Sequence, residues 1–149
     1  MQELKQYSYE EAVAGARDYF NGDELAATVW VSKYALKDSF GKIYERSPEQ
    51  MHRRIARELA RIEAKYPNPM DEEEIYGMLD HFKYAVPQGG PMTGIGNDLQ
   101  IASISNCFVI GHETPADSYG GIIRIDEEQV QLAGWGTTCR TSGRRARRC

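Results

Sequence analysis

The sequence lacks any long apolar run, which excludes a membrane-spanning helix because such a helix needs about 20 consecutive apolar residues. Its first residues, MQELKQYSYEE, are not followed by the apolar core of a secretory signal. Hydrophobic residues make up 41% of the chain and charged residues 27%, the balance of a soluble globular protein, and 149 residues suit one ordinary domain. We therefore expect a cytoplasmic location and no membrane partner.

Cysteine is also scarce. The three cysteines, Cys107, Cys139 and Cys149, are an odd number and show no spacing typical of metal ligands. This argues against both a disulfide scaffold and a zinc site, so we expect no metal site. Cys107 alone falls in a segment with a clear structural pattern, and an isolated buried cysteine is more often inert packing than a reactive group.

Basic charge is concentrated at one end. Residues 1–139 carry 22 acidic and 13 basic residues, whereas the last ten residues hold five arginines and no acid. Such a tail is typical either of a nucleic-acid-binding arm or of a peptide that does not belong to the fold.

Local signals predict four helices in the first half of the chain. Three have a capping residue or box at their start, and one begins with serine followed by proline; these signals are Ser8 with Glu11, Asp23, Ser47-Pro48 with Gln50, and Asp71 with Glu74. In the third helix, Met51, Ile55, Leu59 and Ile62 form one apolar stripe. His52 with Arg53 and Arg54 is then expected on a solvated face, and neither His81 nor His112 has the spacing of a metal ligand.

The pattern changes after Pro87. Residues 87–97 hold four glycines and predict a loop, which matches neither the P-loop nor the dinucleotide fingerprint. Residues 101–110 alternate in polarity and predict a strand with Cys107 on its small, polar face. A second loop over 112–121 and a helix starting at 126–132 follow. The residues alone therefore predict helices first and a strand-loop-helix unit second.

Six strings, taken together and in order, carry a resemblance to a known family. They are ATVWVSKYALKD (27–38), MHRRIAR (51–57), PNPMDEEE (67–74), AVPQGGPMTGIGN (85–97), SISNCFVI (103–110) and DSYGGI (117–122). In this combination, residues 1–132 closely resemble the N-terminal part of the class II ribonucleotide reductases, which depend on adenosylcobalamin.

The resemblance implies a helical N-terminal domain over 1–86 and, over 87–132, the first strand-loop-helix of a ten-stranded α/β barrel that is truncated here. It implies reduction of ribonucleotides to 2'-deoxyribonucleotides by a radical mechanism. It also implies deoxynucleotide or ATP effectors, a thioredoxin-like reductant and a possible dimer. The cobalamin-binding residues are expected outside this segment, and no nucleic acid is an expected partner.

The resemblance also assigns roles to individual residues. Cys107 corresponds to one of two redox-active thiols that reduce the 2'-carbon and close to a disulfide. Substrate is expected at Gly89, Gly90, Ser105, Asn106 and Cys107, although relatives usually have serine or threonine near Gly90. Asp117 and Ser118 correspond to the effector-binding position, where a carboxylate suits a ribose hydroxyl.

The tail departs from the family. Relatives continue with a string like GGVGHDLSHIRPKGSPV, whereas this chain reads AGWGTTCRTSGRRARRC. Residues 134–149 can be back-translated into DNA that encodes VGHDLSHIRPKGSPV when reading starts two bases later. We therefore interpret 133–149 as an out-of-frame tail, and Cys139 and Cys149 then have no role.

Two functional hypotheses follow from the sequence. The first is a fragment of a ribonucleotide reductase, an oxidoreductase family, that lacks most catalytic residues and is inactive in isolation. The second is a stand-alone helical module that binds a nucleotide or a protein without catalysis.

Overall fold

A computed structural model of the chain describes residues 5–100, 104–105 and 118–136, which consist mainly of helices with turns and loops between them. The helices are α1 (Tyr9–Tyr19), α2 (Glu24–Lys33), α3 (Pro48–Glu63), α4 (Glu72–Leu79), α5 (Gly89–Gly94) and α6 (Tyr119–Gly136). A short 3-10 turn, Asp80–Phe82, follows α4. Within the described ranges there is no strand, only isolated antiparallel bridges that join Ile43 to Tyr7 and to Lys37.

The predicted helix starts are confirmed, with one local difference. Complete capping boxes form at Ser8 with Glu11 and at Asp71 with Glu74, and Asp23 caps α2. The Ser47 side chain makes no capping bond. Gln50 Oε1 instead accepts a hydrogen bond from the Arg46 N–H at 2.6 Å. Pro48 nevertheless begins α3, because its ring favours the helical φ and its missing N–H is not needed there.

The core lies where the first four helices meet. Helix α1 packs on α2 and α3 packs on α4. At the centre the Trp30 indole N–H donates to the Met51 sulfur at 3.4 Å. Most of the buried apolar side chains belong to one cluster, which consists of Ala12, Ala16, Ala27, Trp30, Val31, Ala35, Ile43, Met51, Ile55, Ala56, Ile75, Leu79 and Met92.

The predicted loop over 87–97 is partly wrong, because Gly89–Gly94 forms the short helix α5. Two glycines and a proline make a weak helix by propensity. Met92, however, is only 8% exposed and packs in the main core. Burial of this side chain stabilises a turn of helix that the local sequence would not form by itself.

The C-terminal predictions are tested only in part. The predicted helix over 126–132 is confirmed within α6, but the preceding loop ends earlier than expected because α6 already begins at Tyr119. The predicted strand over 101–110 lies outside the described residues except for Ile104 and Ser105, which are exposed. The start of an α/β barrel and the division at 86 and 132 therefore stay predictions.

The described helices include none that is both long enough and apolar enough to cross a bilayer.

Candidate functional site

The predicted substrate residues that the structure describes lie in and after α5. Gly89 and Gly90 form the first turn of α5, and their carbonyl oxygens accept hydrogen bonds from the Thr93 hydroxyl at 3.0 and 3.2 Å. A side chain at position 89 would have its Cβ 3.3 Å from the Tyr34 ring. The backbone here approaches the helical core closely. The hydroxyl that relatives are expected to have near position 90 is absent from Gly90, and the nearest hydroxyl along α5 is that of Thr93.

The remaining predicted residues divide into described and undescribed ones. Ser105 is exposed and Ser118 is exposed at the start of α6, where its Oγ accepts a hydrogen bond from the Gly121 N–H at 3.1 Å. Ser118 therefore has a local role at a helix start. Asn106, Cys107 and Asp117 lie outside the described residues. The redox thiol and the effector carboxylate accordingly stay predictions.

A buried ion pair lies next to this segment. The Arg54 Nε is 2.7 Å from Glu45 Oε1, and the exposed fractions of the two side chains are 10% and 5%. The other Glu45 oxygen accepts from the Leu36 N–H at 2.8 Å. Arg54 Nη2 donates to the Met92 carbonyl at 2.8 Å, and Nη1 donates to the Ile95 carbonyl. Both carboxylate oxygens of Glu45 and the guanidinium nitrogens of Arg54 thus have hydrogen-bond partners, which is the condition under which a buried ion pair is tolerated.

The expected solvated face of α3 is therefore wrong at Arg54, and it is also wrong at His52. The His52 side chain is 0% exposed. Its ring meets Phe82 edge to face at 4.7 Å between centroids. The periodicity of α3 showed one apolar stripe, but α4 and the turn after it pack against a second side of the helix.

His52 belongs to a polar cluster with Tyr19, Asp80 and His81. The Tyr19 hydroxyl donates to Asp80 Oδ1 at 3.3 Å and accepts from the His81 N–H at 2.6 Å. His52 Nδ1 is 3.3 Å from the same hydroxyl oxygen. Because Tyr19 has one proton to give, this network is satisfied when His52 Nδ1 carries a hydrogen. His52 Nε2 is then a buried acceptor, and no partner for it exists among the described residues.

The pKa values of three members of this cluster are shifted, and so is that of the neighbouring Tyr76, which bonds Asp80. Burial lowers the pKa of His52 to about 4, against a weaker opposing effect of the Asp80 charge. Burial, and then a hydrogen bond to Asp80, raises the pKa of Tyr76 to about 12. Burial also raises the pKa of Tyr19, and the Asp80 charge adds to it. Although burial acts against it, hydrogen bonds from His81 and Tyr76 hold the pKa of Asp80 below its usual value.

The turn that carries His81 has unusual backbone geometry. His81 and Phe82 have φ values of 51° and 55°, in the left-handed region of backbone conformation that residues other than glycine rarely adopt. The His81 ring stacks on the Tyr19 ring with centroids 4.6 Å apart, and its Nδ1 is 2.9 Å from Asp80 Oδ2. These contacts offset the backbone cost, which is about 1–3 kcal/mol for such a residue.

A cleft with a volume of about 470 Å³ lies along α3. Its charged lining mixes both signs, with Glu45, Glu49, Arg53, Arg54, Arg57, Glu58 and Asp98. None of the predicted substrate or effector residues lines it. No group of three or more potential metal ligands occurs in the ranges that the structure describes.

Comparison with protein families finds a similarity in the helical part of the chain. Residues 20–89 match the family model described as ribonucleotide reductase, all-alpha domain. The match covers just under half of the chain and runs from the end of α1 to the first residue of α5. Residues 20–89 are thus similar to the all-alpha domain of ribonucleotide reductases, which agrees with the coarser part of the sequence resemblance. Neither the curated proteins nor the solved structures gave a match.

Proposed function

We propose that this chain is the N-terminal part of a ribonucleotide reductase of the adenosylcobalamin-dependent class II type. The match of residues 20–89 to the reductase all-alpha domain is the observation that carries the proposal. The strings SISNCFVI and DSYGGI, which follow that domain in the order expected for class II enzymes, support the finer assignment. The parent activity is deoxyribonucleotide synthesis, which makes precursors for DNA, in the cytoplasm.

The proposed chemistry requires two thiols. Cys107 and a second cysteine, supplied by a part of the enzyme beyond these residues, donate two electrons to the 2'-carbon of the ribonucleotide. The 2'-hydroxyl leaves as water and the two sulfurs close to a disulfide, which a thioredoxin-like protein reduces again. Adenosylcobalamin supplies the radical that starts the reaction, and no residue of this chain is assigned to bind it.

Gly89, Gly90, Ser105 and Asn106 are proposed to contact the substrate. Helix α5 holds Gly89 against the Tyr34 ring, 3.3 Å from where a Cβ would lie, so a side chain there would be crowded. Asp117 and Ser118 are proposed to contact the deoxynucleotide or ATP effector. Ser118 stands immediately before α6, so an effector there would lie beside a helix start.

A polypeptide made of these 149 residues alone is expected to be inactive. One redox cysteine supplies neither a radical nor a full electron pair, and residues 133–149 are proposed to be out of frame. The alternative is a helical module that keeps nucleotide or protein binding without catalysis, which is compatible with the helices of residues 5–100.

The first experiment is to sequence the coding DNA from about codon 125 to beyond codon 149. We expect a small insertion or deletion near codon 133, whose correction restores a string like VGHDLSHIRPKG and a long downstream frame. The corrected gene is then expressed and assayed for adenosylcobalamin-dependent reduction of the four ribonucleoside di- and triphosphates. Activity that is lost on Cys107→Ser supports the proposal. A confirmed tail with no downstream reductase frame favours the alternative module.

A further inference from the structure

Arg54 connects three parts of the chain that are distant in sequence. It projects from α3, pairs with Glu45 in the segment between α2 and α3, and donates to the carbonyls of Met92 and Ile95 at the end of α5. Helix carbonyls near a C-terminus lack partners within the helix, so a guanidinium there satisfies groups that would otherwise be buried without a hydrogen bond. The planar fork of arginine can reach both carbonyls while its Nε bonds the carboxylate.

The residue after this contact fits Arg54 closely. Gly96 has a φ of +68°, and a Cβ at this position would lie 2.9 Å from Arg54 Cγ and 3.4 Å from the Arg54 carbonyl. Both the backbone conformation and the lack of space therefore favour glycine. The chain at position 96 lies directly against the stem of Arg54.

The side chain of Asn97 bonds the backbone on both sides of it, from Thr93 to Gln100. Its Nδ2 donates to the Thr93 carbonyl at 3.1 Å, while its Oδ1 accepts from the N–H groups of Leu99 and Gln100 at 2.9 and 3.2 Å. Arg54 and Asn97 together fix the course of the backbone from Met92 to Gln100. Arginine holds this segment on the helical core, and asparagine extends the ordered part along the chain.

We propose that Arg54, held by Glu45, is a positioning residue for nucleotide binding, because it fixes residues 92–97 between the proposed substrate residues Gly89, Gly90 and Ser105. This inference rests on the proposed function, since the nucleotide site is part of it. Arg54 acts through the backbone of this segment and is assigned no contact with the substrate. The ion pair thus connects the helical domain to the segment that precedes the proposed redox cysteine.

The test uses variants that separate charge from geometry. Arg54→Lys keeps a positive charge beside Glu45 but cannot bond both carbonyls and the carboxylate together. The double variant Glu45→Gln/Arg54→Gln removes the fork without leaving a buried unpaired charge, which keeps the test valid if Arg54→Gln alone does not fold. Arg53→Gln is the matched control, because Arg53 is on the same helix and is ion-paired to Glu73, on α4, at 2.5 Å.

The first readout is backbone hydrogen exchange in the 149-residue chain. Met92, Ile95 and Asn97 donate backbone bonds to Gln88, Pro91 and Gly94, and these amides report the order of the segment. We expect exchange there to be about tenfold faster in Arg54→Lys and the double variant, with α2 unchanged and Arg53→Gln like the unaltered chain. Unchanged exchange at 92–97, or an equal increase in α2, would overturn the proposal.

The second readout is titration of the chain with ADP, CDP, GDP and UDP and the corresponding triphosphates. We expect Arg54→Lys to bind about tenfold more weakly than the unaltered chain at a similar thermal midpoint, which a purely structural role would not produce. Equal affinity of the two proteins overturns the inference. If the unaltered chain binds none of these nucleotides, the inference about Arg54 in this chain is overturned while the proposed reductase origin is not, and the exchange pattern still decides whether Arg54 orders residues 92–97.

Discussion

Two buried polar sites on helix α3 differ in how they accommodate titratable groups. His52 and Arg54 are two residues apart, and therefore about 200° apart around the helix. His52 is 0% exposed, is kept neutral by burial and has one ring nitrogen without a described partner. Arg54 is charged, and its guanidinium bonds a carboxylate and two carbonyls. The residue type therefore determines whether the buried group stays charged, because imidazole can lose its charge at moderate cost and guanidinium cannot.

The largest loss of stability is expected when the ion pair of Arg54 with Glu45 is broken. Arg54→Met leaves the Glu45 carboxylate buried without its counter-charge, and we expect a loss of about 3–5 kcal/mol in the free energy of unfolding, measured by urea denaturation. Arg57→Met is the control, because Arg57 is 69% exposed and lies 3.7 Å from Glu72, so less than about 1 kcal/mol is expected.

A double variant then separates the missing partner from the missing contacts. Glu45→Gln/Arg54→Met should be more stable than Arg54→Met alone, because no unpaired charge remains buried. If the double variant is instead the less stable one, the cost of Arg54→Met comes from lost packing and not from an isolated carboxylate.

The next effect concerns the neutral site and pH. The pKa of His52 is about 4 in the fold, below the ordinary value of 6.5. As the pH is lowered, the unfolded chain therefore binds a proton at this histidine at a higher pH than the folded chain does. With respect to this group, the free energy of unfolding is therefore highest above pH 6.5, and it decreases by about 3 kcal/mol in total as the pH falls towards 4. His52→Gln should flatten the stability profile between these pH values, as measured by denaturation at several pH values.

The difference between the two profiles is the quantity to compare, because carboxylates titrate in the same range in both proteins. Parallel profiles for His52→Gln and the unaltered chain would contradict the depressed pKa. A flatter profile confined to this pH window would assign the effect to the imidazole.

A smaller effect is expected when one hydroxyl of the neutral site is removed. Tyr19→Phe deletes the group that donates to Asp80 and accepts from the His81 N–H. We expect a loss of about 1–2 kcal/mol, since the partly buried Asp80 carboxylate loses a donor and the His81 N–H loses its acceptor. Tyr9→Phe serves as the matched control because Tyr9 is 46% exposed, and thermal denaturation of the two variants should differ accordingly. Equal stability of the two variants would show that the hydroxyl network contributes little.

The smallest effects concern the starts of the helices that carry these sites. Asp71→Ala removes a formed capping box from α4, and about 1 kcal/mol of stability should be lost. Ser47→Ala should cost less than about 0.5 kcal/mol, because the Ser47 side chain makes no capping bond at the start of α3. Chemical denaturation of both variants measures the difference. A cost at Ser47 equal to that at Asp71 would imply a bond that the structure does not show.

The sequence predicted the helices well where local chemistry decides. Capping boxes join residues three positions apart, so Ser8 with Glu11 and Asp71 with Glu74 could be identified without a structure. The stripe of α3 was only partly right. Ile55 is 1% exposed as expected, but Leu59 is 37% exposed, and the buried side of α3 includes His52 and Ala56 instead. His52 was placed on the wrong face, since the packing of α4 and the turn after it on a second side of α3 cannot be read from its periodicity.

The candidate site shows the same division. The resemblance to the reductase helical domain was found from short strings, and the family model for that domain matches residues 20–89. The positions of Gly89 and Gly90 depend on a helix that forms because Met92 is buried, and this long-range effect was missed. A signal existed in the sequence, since the large apolar residues Met92 and Ile95 stand three positions apart in a segment that is otherwise rich in glycine.

The sequence alone determined where helices α1 to α4 begin and which family their domain resembles, because caps, prolines and short motifs act between residues close in the chain. Only the tertiary structure decided that His52 is neutral and buried, that Glu45 and Arg54 form a pair, and that Arg54 holds residues 92–96. These outcomes depend on desolvation and on contacts between residues 9 to 41 positions apart. Burial on that scale is a property of packed elements and not of any one segment.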